Sequence, residues 1–172
     1  MCYDYIWKVI MLGNETSGKT SLATRFLSDI FPEDQRLTTG VDFYSKTTSY
    51  NEHKGLLSFW VFGDDKRFRF LLHQYCKGAN GALFLYNITN QSSLDHLLDW
   101  IHVIRENAGD IPIILVGTRA HLEEKRAVTK EQGNKLAQIH NLSEFIEVSS
   151  KTGQNVELLF ETTTRIIYDK YN

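Results

Sequence analysis

The residues best suited to chemistry are the run Gly13-Asn14-Glu15-Thr16-Ser17-Gly18-Lys19-Thr20, which fits the spacing G-x-x-x-x-G-K-[ST]. Glycines at that separation let the backbone curl so that successive N–H groups point inward. A helix opening behind them adds its own free amides, and together they make a cradle for phosphate oxygens. Lys19 is placed to reach the outer phosphates, and the Thr20 hydroxyl is a hard oxygen donor suited to Mg²⁺. Asn14, Glu15, Thr16, Ser17, Gly18, Lys19, Thr20 and Ser21 are therefore the candidate phosphate-site residues. The competing reading is a chance Gly-rich turn with an exposed lysine. Elsewhere the reactive residue types do not cluster. His53, His96, His102 and His140 form no pair with metal-ligand spacing. Asp95, Asp99 and Glu106 read as a solvated helix face, and Cys76 as a small packed residue.

A phosphate cradle needs a strand to deliver it and a helix to leave it. Tyr5 to Leu12 (YIWKVIML) reads as a buried strand, with a helical stretch after the loop ending near Ser28. Val41 to Tyr50 and Gly55 to Phe62 read as two extended runs joined by the polar turn NEHK, hence a hairpin. Gly81 to Asn87 and Ile111 to Gly117 are apolar runs of the kind found in a sheet covered on both faces, and Phe145 to Val148 is a short sixth strand. Leu94, Leu97, Leu98, Ile101 and Ile104 recur at helical spacing. Thr129 and Gln132 resemble a capping box. Val156, Leu159, Phe160, Thr163, Ile166 and Ile167 give a last amphipathic helix ending at Tyr168. This βα alternation predicts one α/β domain over residues 1–172: a six-stranded, mostly parallel sheet with one antiparallel strand and helices on both faces.

Composition excludes several classes. Nineteen Lys+Arg against 21 Asp+Glu give a net charge of -2, which argues against a bulk electrostatic nucleic-acid binder. A hydrophobic content of 42% is incompatible with a disordered chain. The apolar runs fall far short of the roughly 20 residues of a membrane helix. The start, MCYDYIWKVIML, lacks a basic leader and a small-residue cleavage site, so no signal peptide is expected. Two cysteines, Cys2 and Cys76, are too few for a disulfide framework or a cysteine metal site, which fits a reducing, cytoplasmic setting.

From Tyr5 to Tyr168 the chain resembles the Ras superfamily of small GTPases, the Rab branch most closely. Thr38-Thr39-Gly40-Val41-Asp42-Phe43 resembles the Rab stretch TIGVDF, Lys66-Arg67-Phe68-Arg69 resembles ERFR, and Leu83 to Asn90 (LFLYNITN) resembles VVVYDITN. Glu147-Val148-Ser149-Ser150-Lys151 resembles ExSAK. The resemblance implies a P-loop G domain that binds GTP or GDP with Mg²⁺ and changes its switch loops with the nucleotide. Thr38 would ligate Mg²⁺ beside Thr20, and its N–H would meet the γ-phosphate. Phe31 falls where relatives place an aromatic over the base edge, a buried loop anchor being the alternative. Ser150 holds the position whose backbone N–H bonds the guanine oxygen, between Ser149 and Lys151. Phe43, Trp60 and Tyr75 occupy the aromatic positions shown to effector and regulatory proteins, with plain core aromatics as the alternative. A monomer without an intrinsic membrane anchor is expected. The chain ends YDKYN without the prenylated cysteines of Rab tails, so membrane recruitment would need a partner or chemistry at Cys2.

The departures from the family pattern carry as much weight. The DxxG motif falls on Val61-Phe62-Gly63-Asp64. Val61 replaces the aspartate that holds Mg²⁺ through water, and Asp64 replaces a glycine that faces the γ-phosphate, where a carboxylate is repulsive unless Mg²⁺ or Lys19 intervenes. A swing of Asp64 or Asp65 toward the metal would be a rescue. Asp65 stands at the catalytic glutamine's position; it cannot donate an amide hydrogen bond, and serves at most as a weak base beside Lys19. Glu15 replaces a small residue and would obstruct water or an arginine finger. Very slow hydrolysis is expected. The base-reading NKxD motif falls on Thr118-Arg119-Ala120-His121. Arg119 can lie along the base as lysine does. His121 replaces a carboxylate that accepts two hydrogen bonds from guanine with an imidazole offering one acceptor, at a cost of about 1–3 kcal/mol, or a solvent-facing loop histidine. Three readings stand: a Rab-like switch, a pseudo-GTPase scaffold with constitutive or base-unselective binding, and a P-loop kinase or ATPase. The last lacks an arginine-bearing lid and an acceptor pocket.

Overall fold

The computed structural model describes residues 2–33, 40–64 and 69–172. Strand β1 (Tyr5–Leu12) is the hinge of the architecture, because Val9, Ile10, Met11 and Leu12 are all completely buried. It pairs in parallel with β3 (His53–Phe62) on one side and β4 (Gly81–Asn87) on the other. Strand β2 (Val41–Tyr50) runs antiparallel to β3, while β5 (Ile113–Thr118) and β6 (Glu144–Glu147) extend the other edge in parallel. The order is β2-β3-β1-β4-β5-β6. This is the expected α/β fold, a mostly parallel sheet of six strands with one antiparallel strand.

Period-two alternation sorts the strand residues onto two faces. Val9, Met11, Leu57, Phe59, Val61, Leu83 and Leu85 face one core, closed by α1 (Lys19–Ser28) and α5 (Val156–Tyr171) through Leu22, Phe26, Leu159 and Phe160. Ile10, Leu12, Phe84, Tyr86, Ile113 and Leu115 face the other. It is closed by α2 (Arg69–Cys76), α3 (Leu97–Ala108) and α4 (Lys130–Ile139) through Leu72, Cys76, Trp100, Ile104 and Ala137. Strand order reverses across β1 and β4, and crevices at the carboxyl ends of strands near such a switch point are where ligands sit in open α/β sheets.

Several boundaries differ from expectation for local reasons. The hairpin turn is only Asn51-Glu52, both at positive φ (48° and 66°), the geometry that matches strand twist. His53 and Lys54 therefore join β3, and His53 is a strand residue whose ring lies 5.7 Å from that of Tyr168. Strand β5 starts after Pro112, which has no N–H for the ladder. Strand β6 covers Glu144–Glu147, one residue earlier than expected. The segment at Leu94 splits into a 3₁₀ turn, Gln91–Leu94, and α3. The capping box at Thr129 forms as read, with both reciprocal bonds. Helix α5 runs past Tyr168 to Tyr171, its end held by Lys170, whose Nζ bonds the Asp110 backbone oxygen and carboxylate.

Candidate functional site

The phosphate-loop motif leaves β1 at its buried end. Gly13 has φ 147°, and a Cβ there would lie 2.4 Å from the Leu85 carbonyl oxygen, so the loop passes β4 too closely for a side chain. Asn14 organises the turn: its Oδ1 accepts from the Thr16 N–H at 3.2 Å and hydroxyl at 3.3 Å, and its carbonyl accepts from the Ser17 N–H and Oγ. Gly18, at φ 83°, then turns the chain into α1. No side chain caps that helix, and its first turn carries no acid, so its leading amides are left toward the loop.

Lys19 is 3% exposed. Its Nζ donates to the carbonyls of Gly13 (2.7 Å) and Asn14 (2.6 Å) and lies 3.3 Å from Ser17 Oγ. Burial pulls its pKa down to about 8, against the opposing pull of the Asp64 and Glu15 carboxylates. The ammonium is thus buried and directed at the loop interior. Glu15 is exposed, while Thr20 and Asp64 are half-buried.

A cavity of about 270 Å³ opens at the other end of the loop. Gly18, Ser21, Phe31, Thr118, Arg119 and His121 line it, with Leu122, Ser150 and Lys151. Thr118 ties the two loops together: its Oγ lies 2.8 Å from the Ser17 carbonyl and 2.9 Å from that of Tyr86. Arg119, at φ 63°, reaches back to the Thr16 carbonyl at 3.4 Å. His121 Nδ1 lies 2.7 Å from Ser149 Oγ. Its pKa is lowered by burial and then by the Lys151 and Arg119 charges, so the imidazole is neutral at neutral pH. Glu123 does not stand in for the missing carboxylate. Arg126 grips it through two bonds of 2.8 Å, and grips the buried Glu147 through bonds of 2.6 and 2.8 Å. Glu124 is exposed.

Phe31 faces the same cavity as Arg119 and His121, across a gap that its sequence position alone does not define. Leu122 also lines it and was not a sequence candidate; its signal was only adjacency to His121. The Arg126–Glu147 clamp was equally unread, although Glu123 and Arg126 have the i,i+3 spacing of a helical ion pair.

For a metal, the described donors are few. Val61 is completely buried in the core under α1 and α5, so the end of β3 presents no carboxylate at that position. Among the described residues no group of three or more His, Cys, Asp or Glu is placed to hold an ion. Mg²⁺ asks for only one or two protein oxygens when phosphates and waters complete its shell, and the Thr20 hydroxyl behind Lys19 fits that chemistry. Thr38 and Asp65, like Lys66, Arg67 and Phe68, lie outside the described residues.

The expected partner-facing aromatics are contiguous. Phe43 is 59% exposed and packs edge-on against Trp60 at 4.8 Å, and Trp60 lies 5.4 Å from Tyr75. Trp60 and Tyr75 are half-buried, and the Lys8 ammonium sits 3.7 Å over the Trp60 ring. Among the described residues no helix is long and apolar enough to cross a membrane.

Comparison with known proteins gives the same pattern over nearly the whole chain. A family profile described as the Ras family matches residues 8–169. The Ras-related protein Rab-8B of Bos taurus is 37% identical over 171 residues, covering 99% of this chain and 82% of that protein. The Ras-related protein Rab-8A of Bos taurus is 36% identical, covering 98% and 81%. The Ras-related protein Rab-1 of Theileria parva is 34% identical, covering 98% and 77%.

Proposed function

This chain belongs to the Ras family of small GTPases, and from that premise we propose that it is a Rab-like switch. In this reading it binds GDP or GTP with Mg²⁺ and hydrolyses the triphosphate very slowly. The carrying observation is Lys19: a buried ammonium laid across the loop carbonyls, in front of an uncapped helix N-terminus. An ammonium is held in a low-dielectric site at a cost, and the natural return on that cost is a polyanion. Thr20 and Thr38 would hold Mg²⁺, which would neutralise phosphate charge. The Phe43–Trp60–Tyr75 cluster would meet effector and regulatory proteins.

Slow hydrolysis follows from side chains that replace the usual ones. Val61 is committed to the core, Asp64 already bears on Lys19, and Asp65 has no amide donor to settle the transition-state charge. The burial of Val61 also supports a second reading, a pseudo-GTPase scaffold that holds nucleotide without cycling.

The nucleotide carried by the purified protein separates these readings. Chromatography of a denatured extract is expected to show GTP that persists for hours. A diphosphate alone would indicate an efficient hydrolase, and ATP or no nucleotide would sink the switch reading. Binding should also take up protons. With the free Lys19 pKa at about 8, about three-quarters of the population is neutral at pH 8.5 and about one-tenth at pH 7. A phosphate favours the charged form, so binding raises that pKa and recruits the missing proton. Calorimetry in buffers of differing ionisation enthalpy is expected to show more proton uptake at pH 8.5 than at pH 7. Equal uptake at both values would mean that Lys19 is already fully charged in the free protein.

A further inference from the structure

Strand β2 forms one edge of the sheet, and among the described residues no strand pairs with its outer side. Its two-residue turn closes on the Tyr50–His53 pair, and in such a turn the closing pair exchanges backbone hydrogen bonds. Bonded and non-bonded pairs alternate along an antiparallel ladder, so the even-numbered residues of β2 bond to β3. At the far end the Gly63 N–H donates to the carbonyl of Gly40, also even-numbered, at 2.8 Å. The N–H and C=O groups of Val41, Phe43, Ser45, Thr47 and Ser49 therefore point away from β3. Natural edges are blunted by proline, bulges or outward lysines. Strand β2 has no proline or glycine, and its register with β3 runs unbroken over ten pairs. Its one lysine, Lys46, is drawn back to the Phe26 carbonyl at 2.6 Å and over the Phe26 ring.

Two charges decide what fits this edge. Asp42 and Lys46 stand two residues to either side of Tyr44 and face the same side of the sheet. We propose that β2 pairs antiparallel with β2 of a second copy of this chain, about a two-fold axis at Tyr44. In that register Asp42 of each copy lies opposite Lys46 of the other, Phe43 lies opposite Ser45, and Val41 lies opposite Thr47. Residues opposite one another must share a face, so the axis passes through a residue pair and not between residues. Centring on Asp42 or Lys46 would set like charges together, and centring on Phe43 or Ser45 would leave both charges unmatched. The two Val41–Thr47 and two Phe43–Ser45 pairs exchange about eight backbone hydrogen bonds. The monomer expected from the sequence is then the dilute form. Nothing in this pairing depends on what the phosphate loop binds.

Sedimentation equilibrium of the full chain is expected to show a dimer that grows with concentration. Asp42→Lys should weaken it roughly 2- to 30-fold, the scale of two cross-strand charge pairs lost. The exchanged variant, Asp42→Lys with Lys46→Asp, should restore it, and melting curves report whether each variant is folded. Register is read separately by oxidative cross-linking in a Cys2→Ser background. With Tyr44→Cys the two thiols lie directly opposite, at about 4.5 Å between Cα atoms, and should form a disulfide. With Ser45→Cys the two positions are two residues out of register, beyond the roughly 7 Å limit, and should stay unlinked. A monomer at every concentration, a dimer that Asp42→Lys leaves unchanged, or cross-linking through Ser45→Cys as readily as through Tyr44→Cys would overturn the proposal.

Discussion

Lys19→Ala is expected to weaken nucleoside diphosphate binding by roughly 30-fold to a few thousand-fold, the span of about 2–5 kcal/mol for removing one partner of a buried, hydrogen-bonded charge pair. The size of the effect follows from where the ammonium sits. Lys19 is 3% exposed, so phosphate oxygens that met it would have little competing water. Without it they would face the half-buried Asp64 and the exposed Glu15 with one cation fewer to oppose them. Calorimetry at pH 7, where most of Lys19 is charged, is the appropriate measurement. Lys19→Met is the companion variant: it retains an apolar stem beside Gly13 and Ser17 while removing the charge. Both should lose affinity, and thermal unfolding of each reports whether the fold survives. Affinity unchanged in Lys19→Met would refute the assignment of Lys19 to the phosphates.

What the sequence disclosed and what it withheld divide along the range of the interactions. The β1–loop–α1 unit was legible because its signals are local: an apolar run, two glycines at fixed spacing, and a helix directly after. The two-faced sheet was legible from apolar runs such as Gly81 to Asn87, which have no polar side to turn outward. The turn at Asn51-Glu52 was overestimated because polarity marks a turn region while backbone twist sets its length. At the site, the residue types at positions 118–121 marked a departure from the family pattern. The hydrogen-bond partner of His121 is Ser149, distant in sequence and 2.7 Å away in space, and Ser149 Oγ also accepts the Thr152 N–H. Hydrogen-bond roles of that kind are a property of the folded network. Likewise, Glu123 beside His121 suggested a replacement carboxylate until its partner Arg126 was placed.

Val61→Asp, the substitution that restores the family residue in sequence, is expected to destabilise the nucleotide-free protein by about 3–5 kcal/mol, the cost of an uncompensated buried charge. For a chain of this size that is a fall in melting temperature of roughly 6–20 °C. Val61 is completely buried among Met11, Leu57, Phe59 and Leu22, so a carboxylate there would lose water without gaining a described cation. Its cross-strand partner in β2 is Asp42, and like charges directly opposite on a sheet repel. The new carboxyl would answer with a raised pKa. At low pH it is protonated in both folded and unfolded chains and the penalty is small. As pH rises above the unfolded aspartate value of about 3.9, only the unfolded chain ionises freely, so the deficit against wild type grows. Melting curves at pH 4.5 and pH 8 should therefore diverge, with the larger loss at pH 8. A variant that melts within about 2 °C of wild type at both values would mean that the end of β3 opens to solvent or metal. In that case Val61 would be a local substitution at a metal site. The divergent outcome makes it part of the core, and installing the family's aspartate would then require repacking β2, β3 and α1 together.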